Sequence, residues 1–352
     1  MGRKKKQVFS EDGADRRQDG YYSTPDSVAA FIARKLREIN PLGKKAFDPC
    51  VGQGEMAIPL THSGVDVTGF DIVDRKPTGV ASFQVFDFLR YYADQFETPL
   101  RSQTPPFDYD YVVMNPPYNC HESDYILKNK KWLSRAFPEI GVGNMYSMFI
   151  VSILRLARPG TLIGLITYDS FLTARSHRKL RLEILDKCRI HHLILSPQAL
   201  FRSQGADVRT CIMIIEIGKE EQGVIHTSNR PVSLQDFESI LLEEKFQPLS
   251  IPELVLNGSS DNQEFVIGCP PEVRGLFSQR RLGDVFPCLT GIYTGNDAMY
   301  ITKEPDEDHT VPFFKNPATR RFFTEPDGYL INDFLEVSTR VRNFMVRNKT
   351  YV

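Results

Sequence analysis

The chain has 352 residues, enough for about two domains of ~150 residues and a sizeable buried core, which excludes a single small binding module. Hydrophobic residues make up 41%, charged residues 25% and aromatic residues 11%, a globular composition that excludes a disordered, collagenous or disulfide-stapled chain. Forty-three Lys and Arg stand against 44 Asp and Glu, for a formal net charge of -1. A polyanionic partner therefore has to be held by a local basic face, and a histone-like binder is excluded.

Residues 1–19 mix basic and acidic side chains with Gly and show no apolar period, so they read as a flexible tail whose Arg3–Lys6 run is a solvated end able to touch phosphates. The N-terminus lacks the apolar core of a signal peptide, and the most hydrophobic stretch, Met145 to Tyr168, is interrupted by Arg155 and Arg158. No membrane association is expected, and the chain is expected to be cytoplasmic. The six cysteines (Cys50, Cys120, Cys188, Cys211, Cys269 and Cys288) form no C-x-x-C and no zinc-spaced cluster, so reduced thiols and no metal are expected.

Thr24-Pro25-Asp26 is a helix start signal, and Val28, Phe31, Ile32 and Leu36 follow at helical spacing, which predicts a helix over Ser27 to Ile39. Short apolar runs then recur at Lys45–Phe47, Val65–Phe70, Phe83–Phe86, Tyr109–Met114, Leu162–Thr167, His191–Leu195 and Cys211–Ile217, several with helical material between them. Repeated strand and helix predicts an α/β fold with a largely parallel sheet covered by helices. This unit is expected to span 20–218, with Cys211–Ile217 as a further central strand that closes it. Residues 219–280 are acidic and loop-rich at first and read as a linker or excursion. Residues 281–352, where Gly283, Gly291 and Gly295 punctuate β-branched and aromatic residues, read as a second, smaller domain.

Two constellations carry chemistry. In the first, Phe47-Asp48-Pro49-Cys50-Val51-Gly52-Gln53-Gly54 places a strand ending in an acid before a glycine turn. That pattern seats a ligand over the carboxyl ends of an open α/β sheet, with the glycines expected to let the backbone approach it. Gly52-x-Gly54-x-x-Ala57, with Asp71 downstream, also satisfies a dinucleotide fingerprint. Asp48, immediately before the glycines, would repel a pyrophosphate and attract the cationic methionine part of S-adenosylmethionine. Asp71 is placed to accept from ribose hydroxyls, and Asp87-Phe88, after the third strand, to read and cover an adenine.

The second constellation is a strand, Tyr109 to Met114, running into Asn115-Pro116-Pro117-Tyr118. Two successive prolines stiffen the loop and leave the Pro116 carbonyl available as an acceptor. The Asn115 side-chain oxygen and that carbonyl can hold the two hydrogens of a conjugated exocyclic amine and turn its nitrogen toward an electrophilic methyl group, so that positioning and electrostatics do the catalysis. Tyr118 offers a flat surface for stacking a heterocycle withdrawn from its duplex.

Together these residues resemble the N6-adenine DNA methyltransferases of the gamma class. Tyr21-Tyr22-Ser23-Thr24-Pro25 is similar to that family's N-terminal cofactor-side motif, Asp48 to Gly54 to its glycine motif, and Asn115 to Tyr118 to its catalytic loop. The resemblance implies a Rossmann-like class I methyltransferase sheet, mostly parallel with helices on both faces, and a small C-terminal α/β or mixed recognition domain. It implies S-adenosylmethionine as cofactor, with Tyr22, Thr24, Pro25, Asp48, Pro49, Cys50, Gly52, Gly54, Asp71, Ile72, Asp87, Phe88 and Asn115 as the residues around it. Catalysis would fall to Asn115, Pro116, Pro117 and Tyr118. Phe201, in Pro197-Gln198-Ala199-Leu200-Phe201, matches a second aromatic that stacks on the flipped base. Leu282-Gly283-Asp284 through Asn296 would open the recognition domain. Only 61 residues follow Gly291, fewer than such domains usually have, so the chain is expected to be trimmed, to carry a minimal module, or to share recognition with another subunit.

The expected partner is double-stranded DNA, with a restriction or specificity subunit as a further candidate. Lys128, Lys130 and Lys131, and then Arg175, His177, Arg178, Lys179 and Arg181, could form the local phosphate-binding rim that the near-zero charge demands. Arg320, Arg321, Arg340, Arg342, Arg347 and Lys349 make the C-terminal end positive. The expected activity is methyl transfer to N6 of a flipped adenine at a specific DNA site. RNA adenine and the amide of a protein glutamine present the same pair of hydrogens and stay open as substrates. A degenerate, non-enzymatic specificity partner is disfavoured because Asp48, Asp71, Asn115 and Tyr118 are all present.

Overall fold

In the computed structural model of the chain, the described residues are 20–97, 107–118, 123–218, 223–256, 262–277, 279, 285, 294, 296–315 and 325–337. They fall into two compact units, Met1–Gln279 and Arg280–Val352.

The first unit is built on a nine-stranded sheet of β1 (Lys45–Asp48), β2 (Asp66–Asp71), β3 (Ser82–Val85), β4 (Tyr111–Met114), β5 (Leu162–Tyr168), β6 (Cys188–Leu195), β7 (Thr210–Ile217), β8 (Ile225–Ser228) and β9 (Gln247–Leu249). Their order is β3-β2-β1-β4-β5-β7-β6-β8-β9. Strands β1 to β5 pair in parallel, whereas β7 runs antiparallel to both β5 and β6. The predicted run Cys211–Ile217 is therefore central, as expected, but reversed.

Every residue of β4 is buried, as are six of the seven in β5, because helices cover both faces of the sheet. On β5, Ile163 and Leu165 join the core on one face and Leu162 and Ile166 the core on the other. Along β7, Met213 and Ile215 alternate with Ile212 and Ile214 in the same way. Helix α1 (Asp26–Ile39) buries the predicted stripe of Val28, Phe31, Ile32 and Leu36. Helices α2 (Ala57–His62), α3 (Phe88–Glu97), α4 (Asp124–Ala136), α5 (Met145–Leu156) and α6 (Arg178–Lys187) complete the layers. Helix α5 is apolar nearly all round and has its first ten residues buried, as a helix enclosed by its neighbours must.

The stretch 219–280 does more than link. Its strand β8 pairs in parallel with β6, and β9 closes that edge against β8. Between them α7 (Leu234–Glu243) is capped at its start by the Ser233 hydroxyl, which accepts from the Asp236 backbone N–H at 3.0 Å. Helices α8 (Ile251–Leu254) and α9 (Pro271–Leu276), and the pair β10 (Val255–Leu256) and β11 (Glu264–Phe265), follow. Strands of two to four residues with half their side chains polar leave no run for a sequence reading to find.

The second unit contains a three-stranded antiparallel sheet in the order β12 (Ile301–Thr302), β14 (Gly328–Leu330), β13 (Val311–Phe313), with helices α10 (Asp297–Tyr300) and α11 (Phe334–Val337). Leu330 and Phe334 are its buried centre. Of the segment read as opening a recognition domain, Leu282–Asp284 and Leu289–Tyr293 lie outside the described residues, as do the tail 1–19 and the C-terminal arginines.

Candidate active site

The carboxyl ends of β1, β2, β3 and β4 converge on one cavity. Pro49 and Cys50 come from the loop after β1, Asp71 and Ile72 from the end of β2, Asp87 and Phe88 from beyond β3, and Asn115 and Pro117 from beyond β4. These eight predicted residues do meet in one place. They are joined by Gly20, Tyr21, Val73, Arg75, Phe86, Tyr125, Met145 and Phe149.

The remaining predicted cofactor residues stand behind the cavity wall and do not line it. Asp48 is 1% exposed, with Oδ1 accepting from the Cys50 N–H at 3.0 Å. Burial, with Asp71 and Glu55 adding to it, pushes its carboxyl well above the usual range. Its bond to Cys50 shapes the loop that carries that residue into the cavity. The glycines too serve the chain itself. Gly54 has φ +97, and a Cβ there would lie 2.0 Å from the Thr78 carbonyl oxygen; Gly52 has φ +57, and its Cβ would meet the Tyr21 ring at 2.5 Å. Both glycines are thus required by the chain's own packing.

Asp71 is where the sequence reading put it. Its Oδ2 accepts from the Gly52 N–H and its Oδ1 from the Val73 N–H, both at 3.0 Å, so one carboxylate ties the glycine loop to the end of β2. Burial raises its pKa against the lowering effect of these amides. Asp87 accepts from the Arg90 N–H at 3.1 Å, at the start of α3, and from the Tyr125 hydroxyl at 2.7 Å. Tyr21 is held from two sides: its hydroxyl donates to Glu55 Oε1 at 2.5 Å, and the Arg75 guanidinium lies 4.4 Å over its ring.

The decisive geometry is at Asn115. Its Nδ2 donates to the Tyr22 carbonyl at 2.8 Å and to Thr24 Oγ1 at 3.0 Å. A carbonyl can only accept, so the amide nitrogen must face Tyr22 and the oxygen must face the other way. That oxygen, Oδ1, is buried and has no hydrogen-bond partner. Buried acceptors are rarely left unmade, and one beside a cavity marks a place built for a donor that arrives with a ligand. Tyr22 and Thr24 therefore act through Asn115, while Pro25 starts α1 by accepting from Val28 and Ala29. The Asn115–Tyr118 loop is tied to the same N-terminal segment once more, Tyr118 N–H donating to the Gly20 carbonyl at 3.2 Å.

The two aromatics expected to stack on a base are packed on protein in this structure. Tyr118 is 7% exposed and Phe201 is fully buried, and neither lines the cavity. Tyr118 is ringed by Tyr168, Tyr22 and Phe201 at centroid distances of 4.6, 5.8 and 5.9 Å. Rings with apolar neighbours at hand bury their faces on each other, and here they leave none open to a base. Its hydroxyl, like Asn115 Oδ1, is buried without a partner.

Lys128, Lys130 and Lys131 are exposed on α4, and Arg175 and Lys179 are exposed ahead of and on α6, with Arg178 half-buried. Arg181 and His177 do not belong to a phosphate rim. Arg181 is fully buried and donates to the carbonyls of Phe171, Ala174, Asn262 and Gln263, pinning α6 to the segment before β11. His177 is buried against the Tyr146 hydroxyl at 2.8 Å. Tyr125, Met145 and Phe149 escaped the sequence reading because they are ordinary helix residues, brought to the cavity only by the docking of α4 and α5.

Among the described residues no group of three or more His, Cys, Asp or Glu converges as for a metal ion, and no helix is long and apolar enough to cross a membrane. The four described cysteines, Cys50, Cys188, Cys211 and Cys269, are free.

A sheet in the order 3-2-1-4-5-7-6 with its seventh strand reversed, and a site at the ends of its first four strands, is the fold of the class I methyltransferases. Residues 83–250 match the family model "N-6 DNA Methylase". The chain is 25% identical to the Type II methyltransferase M.BanIII of Aneurinibacillus aneurinilyticus, over 47% of this chain and 33% of that protein. In structure it is similar to a modification subunit assigned to a type I restriction enzyme of Vibrio vulnificus YJ016, with TM-score 0.51 and 15% identity, over 70% of this chain and 58% of that one. It is also similar to a nuclease-deletion mutant of the Type ISP restriction-modification enzyme LlaGI solved with a DNA substrate mimic, with TM-score 0.50 and 13% identity, over 79% of this chain and 34% of that one. The chain thus spans a third of its curated relative and under three fifths of these structural relatives.

Proposed function

We propose that the chain transfers a methyl group from S-adenosylmethionine to N6 of an adenine in double-stranded DNA, at a specific site and with the base turned out of its stack. The observation that carries this reading is the unpartnered Asn115 Oδ1 on the cavity wall, its amide nitrogen already engaged by Tyr22 and Thr24. The match of residues 83–250 to the N-6 DNA methylase family model supports it.

The cavity suits the cofactor. Asp71 offers a carboxylate to ribose hydroxyls, and Ile72, Phe86 and Phe88 offer apolar surface for an adenine, with Asp87 beside them. When bound, S-adenosylmethionine supplies an electrophilic methyl group on a sulfonium. Asn115 Oδ1 and the Pro116 carbonyl would each accept one hydrogen of the target amine. Holding both draws the nitrogen lone pair out of the ring plane and toward the methyl group, which is catalysis by positioning and preorganised dipoles. The stiff Pro116-Pro117 pair keeps these acceptors in place while the base enters. For Tyr118 to stack on that base, its ring must part from Tyr168 and Phe201, and the contacts made to the extruded base would have to offset this cost together with that of unstacking. Exposed Lys128, Lys130, Lys131 and Arg175, with half-buried Arg178, would meet the DNA backbone, and a restriction or specificity subunit would complete the assembly.

Methyl-labelled cofactor incubated in parallel with duplex DNA, RNA and a glutamine-bearing protein, followed by nucleoside and amino-acid analysis, tests the reading. Label is expected in N6-methyladenine from DNA. Label in RNA adenine or glutamine alone would overturn the substrate, and label in none of them the activity.

A further inference from the structure

We propose that Gln204 is a positioning residue for methyl transfer, its side-chain amide clamping the backbone that orients Asn115. The inference deepens the functional reading above and rests on it for the role of Asn115.

Gln204 ends a short turn, Arg202–Gln204, in the connection between β6 and β7. Its Oε1 accepts from the Ser23 N–H at 2.8 Å, and its Nε2 donates to the Ser23 carbonyl, also at 2.8 Å. The partners force this orientation, because a backbone N–H can only donate and a carbonyl only accept. Residues 20–25 form no helix or strand, so this paired contact does for Ser23 what a neighbouring strand would do in a sheet. Ser23 lies between Tyr22 and Thr24, and those two residues supply both acceptors for Asn115 Nδ2. Clamping Ser23 thereby fixes the two atoms that decide which way the Asn115 oxygen points.

The same turn reinforces the arrangement from the apolar side, where the Phe201 ring lies 6.1 Å from Tyr22 and 5.9 Å from Tyr118. Tyr21, by contrast, has its own anchors in Glu55 and Arg75. Loss of Gln204 therefore acts on Asn115 while leaving the cofactor wall at Tyr21 held. Only a side chain with donor and acceptor on one planar group satisfies both Ser23 atoms: Gln204→Glu keeps the acceptor and turns an oxygen on the Ser23 carbonyl, and Gln204→Met keeps the length and loses both bonds.

The test uses the full chain with each substitution, in single-turnover methylation of a duplex that the wild type methylates, with cofactor affinity by calorimetry. Either variant is expected to slow transfer by about 10- to 100-fold, the cost of a misplaced reacting group, with cofactor affinity within about threefold. In the Asn115→Asp background the same changes should add less than about threefold, because Gln204 acts through Asn115. An unchanged rate, an equal loss in both backgrounds, or a loss of cofactor affinity in step with the rate would overturn the proposal. If the wild type itself left DNA unmethylated, the functional reading would fall but the clamp would still be testable. The Asn115 side-chain amide hydrogens, followed by NMR, should exchange about tenfold faster in Gln204→Met, and equal exchange would overturn it.

Discussion

Asn115→Asp replaces the amide nitrogen with oxygen and keeps shape and volume. The new oxygen would face the Tyr22 carbonyl, now 2.8 Å from Nδ2, and Thr24 Oγ1, now at 3.0 Å. The Thr24 hydroxyl can rotate to donate, but the Tyr22 carbonyl cannot, so one buried acceptor loses its donor at about 1–3 kcal/mol. The side chain relieves the oxygen–oxygen contact by turning, which removes Oδ1 from the position that the target amine needs. Losing one such preorganised group costs about 100- to 1,000-fold in turnover. A protonated carboxyl could donate to Tyr22 and restore the arrangement, and the desolvation that raises Asp48 and Asp71 nearby acts on the new group as well. The deficit relative to wild type should therefore shrink as pH falls. Single-turnover methylation with labelled cofactor between pH 8.5 and 6 measures this, with mock-saturating cofactor in both proteins. Turnover within about threefold of wild type across that range would refute the role given to Asn115.

Three further outcomes are expected. Asp71→Asn should weaken cofactor binding by about 10- to 100-fold in calorimetry, the worth of a charge-assisted hydrogen bond or two, and unchanged affinity would reduce Asp71 to its bonds with Gly52 and Val73. Replacing Lys128 and Lys131 together by Ala should lower the slope of log affinity for duplex DNA against log salt by about 2, whereas an unaltered slope would put both lysines away from phosphate. Burial, with His226 stacked 5.1 Å away and Lys35 nearby, pushes His192 from 6.5 down to about 3. The unfolded chain then binds one more proton than the folded one between those values, so stability from a neutral His192 is full above pH 6.5 and drains as pH falls toward 3, by up to ~1.4 kcal/mol per pH unit. His192→Phe should make the fall of denaturation midpoint with acid less steep, and an identical slope would contradict this origin.

The runs that became β4, β5 and β7 were legible because strands buried on both faces are continuous apolar stretches, and α1 because Val28, Phe31, Ile32 and Leu36 repeat at helical spacing. What escaped was set by long-range packing. The reversed direction of β7 leaves no mark in its own residues, and β8 and β9 are too short to show a period. In the site, residue identity named the place but not the contact. Asp48 and the two glycines brace the loop beside the cavity, and Tyr118 and Phe201 pack on their neighbours, contacts that no motif specifies. Gln204 carries no motif: its partner is 181 residues away, a pairing that only the folded chain makes visible.

The relation between Asn115 and the methyl donor is measured most directly by a crystal structure of the chain with sinefungin, a cofactor analogue whose amine replaces the methyl-bearing sulfonium. That amine is expected within about 3–4 Å of Asn115 Oδ1, in reach of the nitrogen that oxygen would hold. An analogue bound elsewhere, or an Asn115 oxygen turned onto protein and away from it, would contradict the proposed chemistry.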